Sequence, residues 1–176
     1  MADAHRGPRY QLAMAAAKAT QAALTAAHRN GGQLPGVIAE KIDPQILADV
    51  PRPKTVVCVS GTNGKTTTNN LLNDLLADNE YEVVNNRAGG NVANGIQSTL
   101  IRNATMSGGT KKDMAVMELD ELSFRKVLPY LTPDIILVTN LYRDSFSRNA
   151  NPDFIFNVMS HYVSPKTKLV LNADDL

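Results

Sequence analysis

One segment, SGTNGKTTT from Ser60 to Thr68, has the residue types and the spacing needed to hold a phosphate group. Gly61 and Gly64 allow the backbone to bend so that successive N–H groups point inward, and the positive end of a helix beginning near Gly64 adds to their attraction for an anion. Lys65 is placed to reach the outer phosphates of a nucleotide, and the hydroxyl of Thr66 is placed to bind the accompanying Mg²⁺. The segment predicts a short phosphate-binding loop of the P-loop type.

This loop differs from the longer P-loop pattern in its first position. Val59 stands where the first glycine of that pattern would be. The difference argues against the GTPase and motor branches of the P-loop class, but not against nucleotide binding. A glycine-rich turn that binds no nucleotide is the alternative, and the Lys-Thr pair directly after an apolar run disfavours it.

Acidic residues follow a second apolar run, in the segment MAVMELDEL. An acid at a strand end beside a P-loop is the usual partner of the magnesium ion, so Glu118 is the expected metal ligand. Asp120 and Glu121 have two possible roles that the sequence leaves open. They could cap the first turn of the following helix, where Asp and Glu are favoured, or they could be catalytic.

A further loop, TNLYRDSFSR, follows the apolar run DIILVT and concentrates polar side chains. These are Asn140, Arg143, Asp144 and Arg148. A surface turn would explain some of them, but it would not readily explain asparagine, arginine and aspartate together in one short turn. We therefore expect this loop to lie beside the nucleotide.

From about Lys54 onward, predicted strands and helices alternate. The strands are TVVCVS, YEVVN, MAVMEL, DIILVT and KLVLN, and the helices are Gly64–Asp78, Val92–Ala104, Leu122–Leu131 and Pro152–Tyr162. Continuous apolar strands between amphipathic helices predict a doubly wound α/β domain with a mainly parallel sheet. Ligands of such sheets bind beyond the carboxyl ends of the strands. The loops expected to carry chemistry are those after Val59, Asn85, Leu119, Thr139 and Leu171.

The first 53 residues are predicted to form a separate arm, with the domain occupying residues 54–176. An alanine-rich stretch predicts one helix over Arg9–Arg29. Its expected, weakly apolar face is Leu12, Ala16, Ala19, Ala23 and Ala27. Such a face favours a helix that covers part of the body over a dedicated docking element. The proline-rich stretch that follows predicts a linker containing one short helix near Asp43-Pro44.

Composition limits what this domain can be. The 176 residues suit one domain of ordinary size, and a formal net charge of +1 gives no reason to expect binding to nucleic acid or to an anionic membrane. The single cysteine, Cys58, excludes an internal disulfide and a multi-cysteine zinc site. No apolar run is long enough to span a bilayer and no signal peptide is evident, so a cytoplasmic protein is expected.

The motifs together resemble a known family. SGTNGKTTT, GGNVANG, MELDE, VTNLYRD and LVLNADD occur in the order and at roughly the spacings of the central ATP-binding domain of the Mur ligases. The resemblance covers Lys54 to Asp175. The arm resembles the start of the MurT group, since a helix followed by LPG and KIDP stands where other Mur ligases carry a UDP-binding domain.

This resemblance implies roles for individual residues. Lys65 and Glu118 would be catalytic, and Thr66 with Glu118 would bind Mg²⁺. Asn91 would lie near the γ-phosphate, and the NADD segment near the base. The positions that match the family's nucleotide-binding residues are Gly61, Thr62, Asn63, Gly64, Lys65, Thr66, Asn91, Asn140, Asp144 and Asn172, with Asp174 and Asp175 also in the NADD segment.

The resemblance also implies an activity. ATP, with Mg²⁺, would phosphorylate the α-carboxylate of the stem-peptide D-glutamate of lipid II, a lipid-linked peptidoglycan precursor. Ammonia released from glutamine by a GatD-like glutaminase partner would then attack the acyl phosphate to give D-isoglutamine. Two alternatives stay open: another Mur-type ligase, such as one acting on folate or a polyamino acid, and a fragment that binds nucleotide without turnover.

Three departures from the family pattern affect these expectations. Ser145 stands where many Mur ligases have a histidine, and the following turn, DSFSRNANP, also differs. The four-cysteine zinc ribbon common in the MurT group is absent from the sequence. The chain ends at LNADDL, before the C-terminal domain of the family, so we expect it to bind nucleotide but not to amidate alone.

Overall fold

The computed structural model describes residues 6–29, 32–88, 90–105, 108–110, 112–142 and 151–175. Five strands, all parallel, form one sheet in the order β2-β3-β1-β4-β5. They are β1 Thr55–Ser60, β2 Val83–Asn85, β3 Met114–Glu118, β4 Ile135–Val138 and β5 Lys168–Leu171. The predicted α/β fold with a parallel sheet is confirmed.

Seven α-helices accompany these strands within the described residues. They are α1 Pro8–Ala26, α2 Leu34–Ile42, α3 Ile46–Asp49, α4 Lys65–Asp78, α5 Ala93–Asn103, α6 Phe124–Val127 and α7 Pro152–Tyr162. A 3₁₀ turn, Glu121–Ser123, comes directly before α6. None of the helices in these ranges combines the length and the hydropathy needed to cross a bilayer.

The topology places the loop after β1 at the centre of the carboxyl edge. The chain leaves β1 toward β2 on one side and later crosses to β4 and β5 on the other. Because such crossovers are right-handed, α4 covers one face of the sheet, while α5, α6 and α7 cover the opposite face. The loop after β1 therefore lies where the winding direction changes, which is the usual ligand position in this class of fold.

The main core lies on the face covered by α5, α6 and α7. Register puts Val56, Cys58 and Met117 on this face with Ile136, and all four are almost completely buried. Burial raises the pKa of the Cys58 thiol to about 12, so this cysteine is a small apolar core residue. At one edge of the sheet the core does not cover the strand, since every residue of β5 is exposed.

Two predicted elements of the domain are shorter in the structure by two residues or more at one end, whereas the others differ by at most one residue at either end. The helix expected over Leu122–Leu131 is only the 3₁₀ turn and α6, which ends at Val127. Pro129 follows within two residues and cannot continue a helix, because it has no N–H to donate and its ring clashes with the preceding turn. The strand expected from Tyr81 begins at Val83.

The linker expected between the arm and the domain is wrong in its first half. Residues Leu34–Ile42 form helix α2, with Pro35 in its first turn, where a missing N–H leaves no bond unmade. The high proline content of this stretch suggested a linker. Pro35, however, stands in the first turn of a helix, a position where proline is favoured. The short helix expected near Asp43-Pro44 is confirmed as α3.

The arm helix is confirmed, but its predicted buried face is wrong. Leu12 is 61% exposed, and Ala19, Ala23 and Ala27 are also exposed. The buried residues are Tyr10, Ala13, Met14 and Ala17. In a helix rich in alanine on all sides the periodicity is weak, and the large side chains of Tyr10 and Met14 decide which face gains most from burial.

Basic side chains of the arm bind the carboxyl ends of other helices. The Lys18 ammonium donates to the carbonyls of Ile101 and Ala104 at the end of α5, at 2.9 and 2.6 Å. Arg9 Nε donates to the carbonyl of Ile42 at the end of α2, at 2.5 Å. Cations at these positions satisfy carbonyls that have no partner within the helix and interact favourably with the helix dipole. The Lys18 bonds therefore fasten the arm to the domain, and the Arg9 bond joins two helices of the arm.

Helix α2 crosses α5 at very short range at Gly36. A Cβ atom at this position would overlap the carbonyl oxygen of Asn94 and would lie 2.9 Å from Ser98 Oγ. The Gly36 N–H also donates to Ser98 Oγ at 2.8 Å. Only glycine permits this approach of the two backbones.

Gly36→Ala is expected to lower the free energy of unfolding by about 1–3 kcal/mol, because the added methyl group forces α2 away from α5. Urea unfolding followed by circular dichroism would measure the change. Gly109→Ala is the matched control, since among the described residues its Cβ would lie within 4 Å of Thr105 Oγ1 alone, at an ordinary 3.6 Å. Equal stability of the two variants would contradict the close helix contact.

Candidate active site

The backbone of the loop between β1 and α4 requires glycine at two positions. Gly61 has φ +120° and Gly64 has φ +82°, conformations that side chains disfavour. A Cβ at Gly61 would also overlap Thr139 Oγ1 and would lie 2.8 Å from the carbonyl oxygen of Asn140. The loop after β1 is thus in close contact with the loop after β4. The sequence predicted that both loops lie beside the same nucleotide.

Asn140 fastens this loop through three hydrogen bonds. Its side-chain Oδ1 accepts from the N–H of Asn63 at 2.9 Å, and its Nδ2 donates to the carbonyl of Asn63 at 3.1 Å. Its own carbonyl accepts from the N–H of Thr62 at 2.8 Å. The predicted site residues Thr62, Asn63 and Asn140 are therefore in direct contact.

Two further contacts were not predicted from the sequence. Thr139 Oγ1 donates to the carbonyl of Asn63 at 2.7 Å, and Thr62 Oγ1 accepts from the N–H of Tyr142 at 3.0 Å. The signal that could have found them is the position of these residues, directly after the strand that runs beside β1. Together with Asn140 they hold the loop in one conformation.

Lys65 begins α4, and its ammonium group lies inside the loop. It donates to the carbonyl of Gly61, to the carbonyl of Thr62 at 3.1 Å and to Glu121 Oε1 at 3.2 Å. The Glu121 side chain is 3% exposed and that of Lys65 is 14% exposed, so this ion pair is largely shielded from water. Sequence reasoning did not identify Glu121 as the partner of Lys65.

Burial affects the ionisation of Glu121. Loss of solvation raises the pKa of its carboxyl above the ordinary value, while its own backbone N–H and the Lys65 ammonium act in the lowering direction. Shifted pKa values are common at functional sites, but structural ion-pair networks also shift pKa values, so the shift alone does not assign a function to Glu121.

Glu118, at the end of β3, connects the loop to a third segment. Its Oε2 accepts from Thr66 Oγ1 at 2.7 Å, and its Oε1 accepts from Asn91 Nδ2 at 2.9 Å. Asn86, which is buried, fixes the backbone of Glu118 by accepting from its N–H at 2.9 Å and donating to its carbonyl at 2.8 Å. The structure thus brings together Thr66, Glu118 and Asn91, the residues expected at the metal and the γ-phosphate.

The donor set of Thr66 and Glu118 fits a magnesium ion. Both supply oxygen atoms, and the 2.7 Å between them is short enough for both to reach one ion. Mg²⁺ is usually bound by one or two protein oxygens together with water and phosphate oxygens. Among the described residues there is no cluster of three or more His, Cys, Asp or Glu that could hold a metal by itself. A site completed by phosphate is the arrangement these residues allow.

The sequence left Asp120 either a capping role or a catalytic role, and in the structure its side chain forms a cap. Its Oδ2 accepts from the N–H of Ser123 at 3.2 Å, so it caps the 3₁₀ turn that begins at Glu121. Its own N–H donates to the carbonyl of Asn91 at 2.8 Å. Asp120 therefore fixes the backbone between Glu118 and Glu121.

The NADD segment lies at the other end of the carboxyl edge. Asn172 Oδ1 accepts from the N–H of Asp174 at 3.1 Å, and Asp175 Oδ2 accepts from the N–H of Leu141 at 2.7 Å. Asn172 and Asp175 line one end of a mainly apolar cavity of about 740 Å³ between α7 and β5. Asp144, predicted to bind the nucleotide, lies outside the described residues, as do Arg143 and Arg148.

The fold and this site place the chain in a family. Residues 59–176 match the profile of the Mur ligase middle domain, and the chain belongs to the Mur ligase family. Its sheet and helices are similar to those of MurF from Acinetobacter baumannii, with a TM-score of 0.61, 18% identity and coverage of 78% of this chain and 30% of that one. The MurF ligase from Thermotoga maritima in complex with ADP gives a TM-score of 0.60 and 19% identity, covering 80% of this chain and 33% of that one.

Within this family the chain is similar to MurT proteins. It is 40% identical to the MurT subunit of the glutamine-hydrolysing lipid II isoglutaminyl synthase of Staphylococcus aureus strain COL. The aligned segment of 161 residues covers 90% of this chain. It is 32% identical to the corresponding subunit of Streptococcus pneumoniae strain R6, over 82% of this chain. The chain spans 36% and 32% of the length of these two relatives.

Asn140→Ala is expected to lower the free energy of unfolding by about 1–2 kcal/mol, because it removes both side-chain hydrogen bonds to the backbone of Asn63. Urea unfolding at neutral pH would measure the loss. Asn79→Ala is the control, because its exposed side chain donates only to the nearby carbonyl of Leu75. A loss no larger than that of the control would show that Asn140 does not restrain the loop.

Glu121→Gln should change how stability depends on pH. Since the folded pKa of Glu121 is raised above 4.5, its contribution to stability is fully present below that value and is lost as pH rises through the folded pKa. Relative to the wild type, the variant should become more stable as pH increases above 4.5. Urea unfolding at several pH values tests this, and a pH-independent difference would contradict it.

Proposed function

We propose that residues 60–66 bind the phosphates of ATP and that the protein is the ATP-dependent ligase part of a lipid II amidating enzyme. The main support for a nucleotide site is that four of the residues predicted for it lie together at one edge of the sheet. Lys65 and Thr66 begin the helix, Glu118 accepts a hydrogen bond from Thr66, and Asn91, from a separate segment, donates to Glu118. The MurF ligase from Thermotoga maritima, which has a similar fold, was solved in complex with ADP, and this is consistent with nucleotide binding by the present chain.

Each side chain has a chemical task in this proposal. Lys65 would move from the loop carbonyls to the outer phosphates and offset their charge. Thr66 and Glu118 would hold Mg²⁺, which when bound neutralises phosphate charge. Asn91 would donate its amide hydrogens to Glu118 and to the γ-phosphate. Asn140 would keep the N–H groups of the loop in place for the phosphates.

The reaction we propose joins ammonia to a carboxylate. A carboxylate oxygen of the stem-peptide D-glutamate of lipid II attacks the γ-phosphorus of ATP, and the bond to the ADP oxygen breaks. Ammonia from a GatD-like glutaminase partner then attacks the carbonyl carbon, phosphate leaves, and an amide remains. Because the first step brings two anions together, a lysine and a divalent cation at the site are needed.

The support for this substrate and partner comes from the relatives. The S. aureus and S. pneumoniae proteins are named as MurT subunits of a glutamine-hydrolysing lipid II isoglutaminyl synthase. The use of ATP and of a lipid-linked precursor is consistent with a cytoplasmic location.

Lys65→Ala is expected to weaken ADP binding at least about tenfold and to abolish glutamine-dependent amidation, since the outer phosphates lose their cation. Isothermal titration with Mg·ADP would measure binding. Amidation of lipid II would be followed by mass spectrometry after co-expression of the chain with a GatD-like glutaminase. Lys54→Ala is the matched control, because Lys54 is an exposed lysine at the opposite edge of the sheet.

The outcomes separate the two parts of the proposal. ADP binding that depends on Lys65, without amidation by the co-expressed pair, would support a nucleotide-binding chain and contradict the amidation activity. Binding unaffected by Lys65→Ala would contradict the nucleotide site itself.

A further inference from the structure

The contacts of the Lys65 ammonium group leave it no hydrogen to donate to a phosphate. A lysine ammonium has three N–H donors. Here the three acceptors are the carbonyls of Gly61 and Thr62 and the Oε1 atom of Glu121. In this conformation the side chain is turned back into its own loop. A nucleotide phosphate must therefore displace at least one of these acceptors.

Glu121 is the acceptor that opposes such a displacement most strongly. It is the only charged one of the three, so its bond to the ammonium adds an attraction between opposite charges that the carbonyls do not supply. The pair is largely buried, with Lys65 14% and Glu121 3% exposed, so solvent screens the attraction only weakly. The two loop carbonyls alone would hold the ammonium less tightly.

The backbone of Glu121 is fixed, so the carboxylate cannot follow the lysine freely. It is the first residue of the 3₁₀ turn that Asp120 caps, and Phe124, directly after this turn, is completely buried in the core. The turn also contacts α7. Movement of Lys65 toward a phosphate would consequently lengthen the ion pair.

Glu121 has a different position from the other acid of this segment. Glu118 binds Thr66 and Asn91, whereas Glu121 binds Lys65. Glu118 and Glu121, which are three positions apart, thus contact Thr66 and Lys65, the first two residues of α4. Only Glu118 is placed for a metal ion next to Thr66.

We propose that Glu121 is a positioning residue that holds Lys65 in the loop and competes with the outer phosphates for it, so that it sets the affinity for nucleotide. This rests on the proposed nucleotide site. Glu121 acts through Lys65 and does not itself need to touch the nucleotide.

The test is the affinity of the 176-residue chain for nucleotides, measured by isothermal titration. Glu121→Gln keeps the size and an acceptor but removes the charge, and it should tighten ADP binding by about threefold to tenfold, because a charged competitor is lost. The gain should be absent for AMP, whose single phosphate does not extend to the lysine of such a loop. A merely structural role would affect AMP and ADP alike.

Two control variants sharpen the result. Glu82→Gln also removes one carboxylate of an ion pair, with Lys112, but at the start of β2 on the opposite edge, and should leave the Kd for ADP unchanged. In a Lys65→Ala background Glu121→Gln should have no effect, since the residue through which it acts is absent. If Glu121→Gln does not fold, Glu121→Met removes the charge at similar volume, with the same expected tightening.

Equal Kd values for ADP in the wild type and the Glu121 variant would overturn this proposal alone, as would an equal gain for AMP. Absence of any Lys65-dependent ADP binding in the wild type would overturn the proposed nucleotide site and this proposal together. Tighter ADP binding that requires Lys65 supports it.

Discussion

The loop after β1 depends on one close contact, the approach of Gly61 to the end of β4. The backbone of Gly61 lies so near Thr139 and Asn140 that no side chain fits between them. Because the two strands are adjacent and parallel, their ends converge, and Asn140 can then satisfy the backbone of Asn63 on the loop. A short loop rich in glycine would otherwise have many conformations. Its fixed shape is what allows Lys65 and Thr66 to meet separate acids on β3 and the turn after it.

Charge at this edge is arranged locally. The chain as a whole has a formal net charge of only +1, so an anion cannot be attracted by a general positive field. Instead Lys65 is paired with Glu121, and Thr66 with Glu118. Lys65 compensates the charge of the buried Glu121, and the part-buried Glu118 has hydrogen-bond donors on Thr66 and Asn91. The same pairing means that phosphate binding must rearrange existing contacts.

The amino-terminal arm shows where local patterns were insufficient. Its helix was predicted correctly, since alanine favours helices wherever they are packed. Its buried face was not, because that face is decided by the surface it meets. The bond from Gly36 to Ser98, where α2 crosses α5, and the bond from Lys18 to the end of α5 join residues 62 and 83 positions apart in sequence. No local periodicity encodes such pairs.

The sequence by itself determined the parallel α/β sheet, the loop containing Gly61 and Gly64, and the meeting of Thr66 with Glu118. Strand and helix periodicity are local properties, and the carboxyl ends of neighbouring parallel strands must share one edge. Only the tertiary structure decided that Asp120 caps a turn while Glu121 faces Lys65. Both acids follow the same strand, and the sequence allowed either role for each. Their directions follow from the short 3₁₀ turn, which packs against α7. The Asp120 side chain accepts from the backbone N–H of Ser123, and the Glu121 side chain is directed toward Lys65 in the loop.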